Sequence, residues 1–489
     1  MPADRNLARL GAHAFERHGD YASLWFEGRW YRSGELYERA RRVAAGLTEV
    51  GVAAGDRVVV FAANCPEVPL LYHAIWRAGA VVTPAIFLLP PSELRHILAD
   101  SEARLVVASP EFVDAARAVG EVPVVSTDEL PHGDPEPIVE RGDDDLAALM
   151  YTGGTTGRAK GVMLSHANLW EVGKAAQEAG HVPGIVRTLV PLPLSHSYGL
   201  LVTVVGLHAP EPGVAALMRW FEPTAFLDLL QEHRVQISAV VPSMLRLLLA
   251  QPLECYDLSS LRYLACGAAS LPRDVVDALA RRLPHVELRE GYGLTETSAL
   301  VSTNPPGRIR LGSVGLPVPG VVLRIVDEEE RELPPGEVGE ICCRSPFLMQ
   351  GYWRAPELTA AALRGGWFHT GDLGYVDEDG YLYVVDRKKD LIIRGGFNVF
   401  PRDVEDALLE HPAVALAAVV GRPDERYGEE VVAFVSVRNG SDVTPDDLVA
   451  YAKERIGGYK YPREVRIVPD VPLTPVGKVD RKALRELVR

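Results

Sequence analysis

From Arg57 onward the chain alternates short, β-branched apolar runs with segments of helical periodicity. RVVVFAAN reads as a strand, PEVPLLYHAIWRAG as a helix, AVVTPAI as a strand, PSELRHILADSE as a helix and ARLVVAS as a strand. The same rhythm returns in QISAVVP, SMLRLLLAQ, LRYLACGAA and DVVDALARRL. Strands that are apolar throughout, with helices between them, must be buried on both faces, which predicts parallel sheets flanked by helices. The expected fold class is therefore α/β. No repeat of roughly 20 to 50 residues stands out, so a solenoid is not expected. At 489 residues the chain exceeds the size at which a single core stops growing, and two or more domains are expected.

After Leu311 the texture changes. VVLRIVDEEERELPPGEVGEICCRS and YVDEDGYLYVVD read as hairpins with Pro-Gly and Asp-Gly turns. The charged stretch DRKKD, Asp386 to Asp390, reads as an exposed hinge. The remainder mixes helices (DVEDALLEH, TPDDLVAYAKERI) with strands (VALAAVV, EVVAFVSV) at a length that suits a small α+β domain. The expected architecture is a large N-terminal body, residues 1–385, of α/β layered sheets with a β-rich subdomain, and a small mobile C-terminal lid, residues 386–489, joined through the DRKKD stretch.

Net charge is −15, which argues against a nucleic-acid binder or an anionic-membrane binder, since both need gathered positive charge. The opening MPADRNLARLGAHAFERHGD is charged throughout, unlike a secretory leader, and the longest apolar run, GLLVTVVGL, is far short of a membrane span. Five scattered cysteines show no CxxC and no spaced framework, so a reducing compartment, the cytoplasm, is expected.

The most informative stretch is MYTGGTTGRAKGVMLSH, Met150 to His166. A strand runs into Thr152, Gly153, Gly154, Thr155, Thr156 and Gly157, then reaches Lys160 and a second strand-like run. Glycines let backbone N–H groups approach phosphate oxygens, threonines add hydroxyl donors, and Lys160 brings positive charge. A flexible surface hairpin is the plainer reading, but the density of donors favours phosphate binding. A Walker A loop is excluded, because Lys160 is followed by Gly161 and Val162.

This run resembles the signature of the adenylate-forming superfamily: acyl- and aryl-CoA synthetases, adenylation domains of nonribosomal peptide synthetases, and luciferases. The pattern is closest to the acyl-CoA synthetases. Two positions depart from it, Gly153 where the family usually has Ser and Ala159 where it usually has Pro, which predicts a looser loop. Four more motifs follow at the expected intervals. By likeness, GYGLTET (Gly291, Tyr292, Gly293, Thr295, Glu296) forms the nucleotide floor. Tyr292 would stack on adenine, Thr295 contact the α-phosphate and Glu296 coordinate Mg²⁺; a helix start with Thr295 as cap is the bland alternative. In HTGD, the resemblance makes Asp372 the ribose ligand, supported by Arg387.

IRGGFNVFPRDVE would bring Gly395 and Gly396 against the pantetheine arm of coenzyme A, although the same segment also reads as a turn opening a helix at Pro401. In PLTPVGKVDRKAL, Lys478 would reach the acyl carboxylate and α-phosphate during adenylation; most lysines near a C-terminus are merely solvated. The resemblance spans the chain and implies ATP, Mg²⁺ and coenzyme A, with an acyl-adenylate made first and a thioester second. It also implies that the lid turns about Asp386 between the two steps.

The segments implied to line the acid site are LPLSHSYGLL, AVVPSMLR, ACGAAS (with Gly267, Ala268 and Ala269) and GYGLTETSAL. His196 stands where the family commonly has a histidine, with Ser195 in place of the preceding aromatic; a helix N-terminal position is its plainer reading. These segments offer Arg246 but no aspartate placed to bind an α-ammonium group, which disfavours an amino acid. The expected substrate is an uncharged lipophilic acid, a fatty acid or an arylalkenoic acid, with the alkyl chain favoured because Ser195 would widen the entrance. A ligase that loads an acyl carrier protein, an amino-acid-activating enzyme and a non-catalytic nucleotide binder are the alternatives. Oligomeric state is left open.

Overall fold

A computed structural model describes residues 4–153, 158–269, 271–438, 440–474 and 478–488. Two compact units result. The first comprises residues 1–268, 282–322 and 343–368, and the second 269–281, 323–342 and 369–489.

In the first unit the alternating pattern becomes two layered sheets. The strands Arg57–Phe61, Val81–Ala85 and Ala103–Ala108 lie parallel, with Arg57–Phe61 in the middle, and Leu146–Thr152 joins parallel to Val81–Ala85. Helices Glu67–Arg77 and Pro91–Asp100 connect them. Every residue of Val81–Ala85 is buried, as a strand covered on both faces requires. Lys160–Ser165 then returns antiparallel to Leu146–Thr152, with Thr152 opposite Lys160. The second sheet has nine strands; its centre, Arg187–Val190, Ile237–Val240, Tyr263–Cys266 and Glu287–Tyr292, is parallel. The C-terminal ends of the last two strands carry Gly267 and Gly291.

The second unit holds a four-stranded sheet, ordered Val322–Val326, Gly339–Arg344, Phe368–Val376 and Leu382–Arg387, whose last two strands are antiparallel. A five-stranded sheet follows, built on the long hairpin Val414–Asp424 and Gly428–Val437. Helices Pro401–Leu409 and Pro445–Arg455 cover one face through Val404, Leu408, Leu448 and Ala452, while Leu484 and Val488 pack with Ala418, Val420, Val432 and Phe434. The expected mixed α/β class with a smaller α+β portion is the architecture observed. Among the described residues no helix is long and apolar enough to cross a membrane.

Candidate active site

In the first unit the floor segment is held by close backbone packing. A Cβ on Gly293 would lie 2.2 Å from the Ala299 carbonyl oxygen, so only glycine lets the chain fold back there. The fold-back follows a short turn, Thr295–Thr297, and sets Ser298 and Ala299 at φ of 52° and 74°, a left-handed pair of non-glycine residues. Such strain persists where surrounding contacts over-determine it. Here the Ser298 hydroxyl donates to the Phe347 carbonyl at 2.8 Å and the Val301 amide to that of Tyr292 at 2.7 Å.

The turn presents two side chains. Thr295 Oγ1 lies 3.4 Å from Ser197 Oγ, so the floor meets the helix Ser197–His208 rather than capping a helix of its own. Glu296 Oε1 accepts a 2.8 Å hydrogen bond from the Tyr352 phenol, and the Lys160 ammonium sits 5.3 Å from the centre of the Tyr352 ring. Burial and the adjacent Glu296 charge push the Tyr352 phenol up, so it stays a neutral donor. A carboxylate oriented by a neutral phenol would suit a hard divalent cation, and Lys160 would add positive charge for phosphate oxygens. Tyr352 was invisible to sequence reasoning, since it lies 56 residues from Glu296 and belongs to no motif. Gly154, Thr155, Thr156 and Gly157 lie outside the described residues. A Cβ on Gly153 would meet nothing within 4 Å, so the missing serine is not a steric requirement.

His196 is the N-cap of Ser197–His208, its Nδ1 accepting from the Tyr198 amide at 3.2 Å. The tautomer this requires puts the remaining proton on Nε2. The Tyr198 phenol points 3.4 Å from the Ala265 carbonyl, and its ring edge would be 3.8 Å from a Cβ on Gly267. Gly267 faces the Gly291 carbonyl closely enough that a Cβ would stand 3.2 Å from it, and Ala268 takes φ of 69°. Ser195 is buried at 6% exposure, so it does not sit at an entrance and gives no reason to favour an alkyl chain. Arg246 lies half-buried on Pro242–Leu249, and Ala269 is exposed.

In the second unit, Asp372 is buried and opposite Arg387 in the antiparallel pair, with Arg387 Nε 3.4 Å from its carboxylate. Thr370 fixes the turn: its hydroxyl donates to the Ile341 carbonyl at 2.7 Å and accepts from the Asp372 amide at 3.1 Å. A buried carboxylate of this kind suits two ribose hydroxyls. Lys478 belongs to the same neighbourhood. Burial, and then the Arg387 charge, push its ammonium down to about 8, with Asp372 opposing.

The stretch expected to be an exposed hinge is exposed only in its middle: Arg387, Lys388 and Lys389 face solvent, while Asp386 and Asp390 are buried. The reason is hydrogen bonding. Asp386 accepts from the Arg387 amide at 2.7 Å and the Arg402 amide at 3.0 Å, and Asp390 from Arg485 at 2.6 Å. Gly395 and Gly396, at φ of 59° and 84°, form the two-residue turn between Ile392–Arg394 and Phe397–Val399, the geometry of a primed hairpin turn. Phe397 beside it is 58% exposed. Pro401 begins the next helix, so this segment is both turn and helix start.

The family model described as "AMP-binding enzyme" matches residues 11–353, and that of the "AMP-binding enzyme C-terminal domain" matches 403–478. Among curated relatives, a feruloyl-CoA synthase from an Amycolatopsis species is 39% identical over 487 residues, covering 98% of this chain and 96% of that one. A long-chain-fatty-acid–CoA ligase from Bacillus subtilis is 33% identical over 532 residues, covering 99% and 94%. Among solved structures, ATP-bound MatB from Rhodopseudomonas palustris superposes with a TM-score of 0.90 at 33% identity over 99% of both chains.

Proposed function

Because the chain belongs to the AMP-binding enzyme family, we propose that the carboxylic acid it activates is an arylalkenoic acid of the ferulate kind. The reaction class is AMP-forming ligation of an acid to coenzyme A, using ATP and Mg²⁺. The observation that carries the substrate reading is the 39% identity to a feruloyl-CoA synthase across nearly the whole of both chains, against 33% for the long-chain ligase. Local geometry supports it. Tyr198 brings the edge of an aromatic ring beside Gly267, with its hydroxyl toward the Ala265 carbonyl, an aromatic lining suited to a planar ring.

The roles follow from charge. Carboxylate and triphosphate are both anions, so the site must hold them together with cations and oriented donors. Lys478, its ammonium already near Asp372 and Arg387, bridges the acid carboxylate and the α-phosphate. Glu296, oriented by the Tyr352 phenol, would hold Mg²⁺, which would supply positive charge toward the pyrophosphate leaving group. Thr295 donates to the α-phosphate, Tyr292 stacks on adenine, and Asp372 accepts from the ribose with Arg387 beside it. Thr152, Gly153 and Lys160 flank the phosphates, and His196 orients the helix that bears Tyr198. In the second step the thiol attacks the acyl carbonyl and AMP leaves; the lid turns about Asp386 so that Gly395 and Gly396 face the pantetheine arm in place of Lys478.

The test is kcat/KM for thioester formation with ferulate, p-coumarate, octanoate and palmitate. One of the aryl acids should exceed both fatty acids by at least about tenfold, the discrimination expected of a pocket shaped for a ring. A higher value for octanoate or palmitate overturns the substrate reading.

A further inference from the structure

Behind the Thr370-Gly371-Asp372 turn lies a buried carboxylate that none of the roles above employs. Glu340, on Gly339–Arg344, is only 5% exposed. One of its oxygens accepts from the Gly371 amide at 3.3 Å, next to Asp372. The other accepts from the Lys388 ammonium at 3.1 Å. His369 Nδ1 stands 3.6 Å from the same oxygen and 3.3 Å from Cys342 Sγ.

The sequence positions of these partners matter. Glu340 and Gly371 precede Asp386, whereas Lys388 follows it by two residues. A rotation about the Asp386 backbone leaves the first two in place and carries Lys388 away, together with everything after it, including Lys478. The bond from Arg402 to the Val384 carbonyl, 2.9 Å, also joins the two sides of that residue. Both contacts coexist with the placement of Lys478 beside Asp372, which is the arrangement adenylation needs.

We propose that Glu340 is a positioning residue for the first half-reaction: through Lys388 it latches the lid so that Lys478 stays beside Asp372, and the pair must separate before the thiol step. The inference rests on Asp386 being the hinge. An ion pair with one buried partner is less screened by salt than a surface pair, while the desolvation each closure costs offsets part of that attraction, so the latch can open.

The test compares Glu340→Gln, Lys388→Met and the double variant in two assays: acid-dependent ATP–pyrophosphate exchange, and thioester formation from supplied acyl-adenylate and coenzyme A. Each single variant should lower exchange about tenfold and leave the thioester assay within about twofold, or faster, since only one station of a two-state equilibrium is weakened. The double variant should be no worse than the poorer single, because both remove the same contact. Lys388→Met decides alone if Glu340→Gln fails to fold, as Lys388 is nearly half exposed. Equal losses in both assays, or additive losses in the double variant, overturn the latch. Asp386→Pro, run alongside, tests the premise: if it does not separate the two half-reactions, the hinge reading falls and the latch with it; if it does while Glu340→Gln and Lys388→Met do not, only the latch falls.

Discussion

Lys478 carries the account at the scale of single residues. A lysine depressed to about 8 by burial and by Arg387 is still protonated at neutral pH and loses its proton as pH rises through that value. In the proposed role the charged form is the active one, so kcat/KM for ATP–pyrophosphate exchange should fall on the alkaline side with a midpoint near 8. Lys478→Arg, which keeps its charge throughout, abolishes that limb even if it lowers the plateau. Lys478→Ala should reduce exchange by at least about 10²-fold while largely sparing thioester formation from supplied adenylate. Exchange near the unmodified rate would remove Lys478 from the chemistry. Glu296, Asp372 and Lys478 could be singled out beforehand because each sits in a short motif that resembles the family's. Tyr352 and Glu340 were not readable, because each contacts residues tens of positions away and neither has a local pattern.

Elements convert those side chains into a site, and the helix Arg481–Glu486 shows how. Arg481, three residues after Lys478, donates to both oxygens of Glu405 at 2.6 and 2.8 Å. Glu405 also accepts from the Val419 amide at 2.8 Å, so one carboxylate ties the C-terminal helix to Pro401–Leu409 and to Val414–Asp424. Arg485 adds a second tie to Asp390. Arg481→Met strands the Glu405 carboxylate in a mostly buried position and should cost roughly 3 kcal/mol. Denaturant melts should show that loss, with exchange falling more than thioester formation, since the Lys478 segment loses its anchor. A change under about 0.5 kcal/mol would mean that the tie contributes little. Element identity was legible because apolar runs and helical periodicity occupy different sequence spacings. The burial of Asp386 and Asp390 was not, because charge in a sequence reads as exposure until the partners, here backbone amides and Arg485, are located.

For the whole molecule, the two half-reactions demand two arrangements from one chain. Asp386→Pro fixes φ near −65° at the proposed hinge, and also removes the carboxylate bonds to the Arg387 and Arg402 amides. Asp386→Ala removes the same bonds with φ left free, and so isolates the hinge. Both should retain exchange to within about tenfold, and the proline variant alone should accumulate acyl-adenylate with little thioester. Equal behaviour of the two would assign the effect to the lost hydrogen bonds. Two domains were foreseeable from length, but contacts also group residues 269–281 and 323–342 with the C-terminal part, an association made by long-range packing that no local pattern signals.

The central claim is that an arylalkenoic acid is activated at phosphorus and handed to coenzyme A. Ferulate labelled with ¹⁸O in both carboxylate oxygens, incubated with ATP, Mg²⁺ and coenzyme A and followed by mass spectrometry, tests it in one reaction. Carboxylate attack on the α-phosphorus leaves one labelled oxygen in AMP, and thiol attack on the carbonyl leaves the other in the thioester. One ¹⁸O in each product is the expected result. Unlabelled AMP, label in ADP or inorganic phosphate, or no thioester from ferulate would contradict the account.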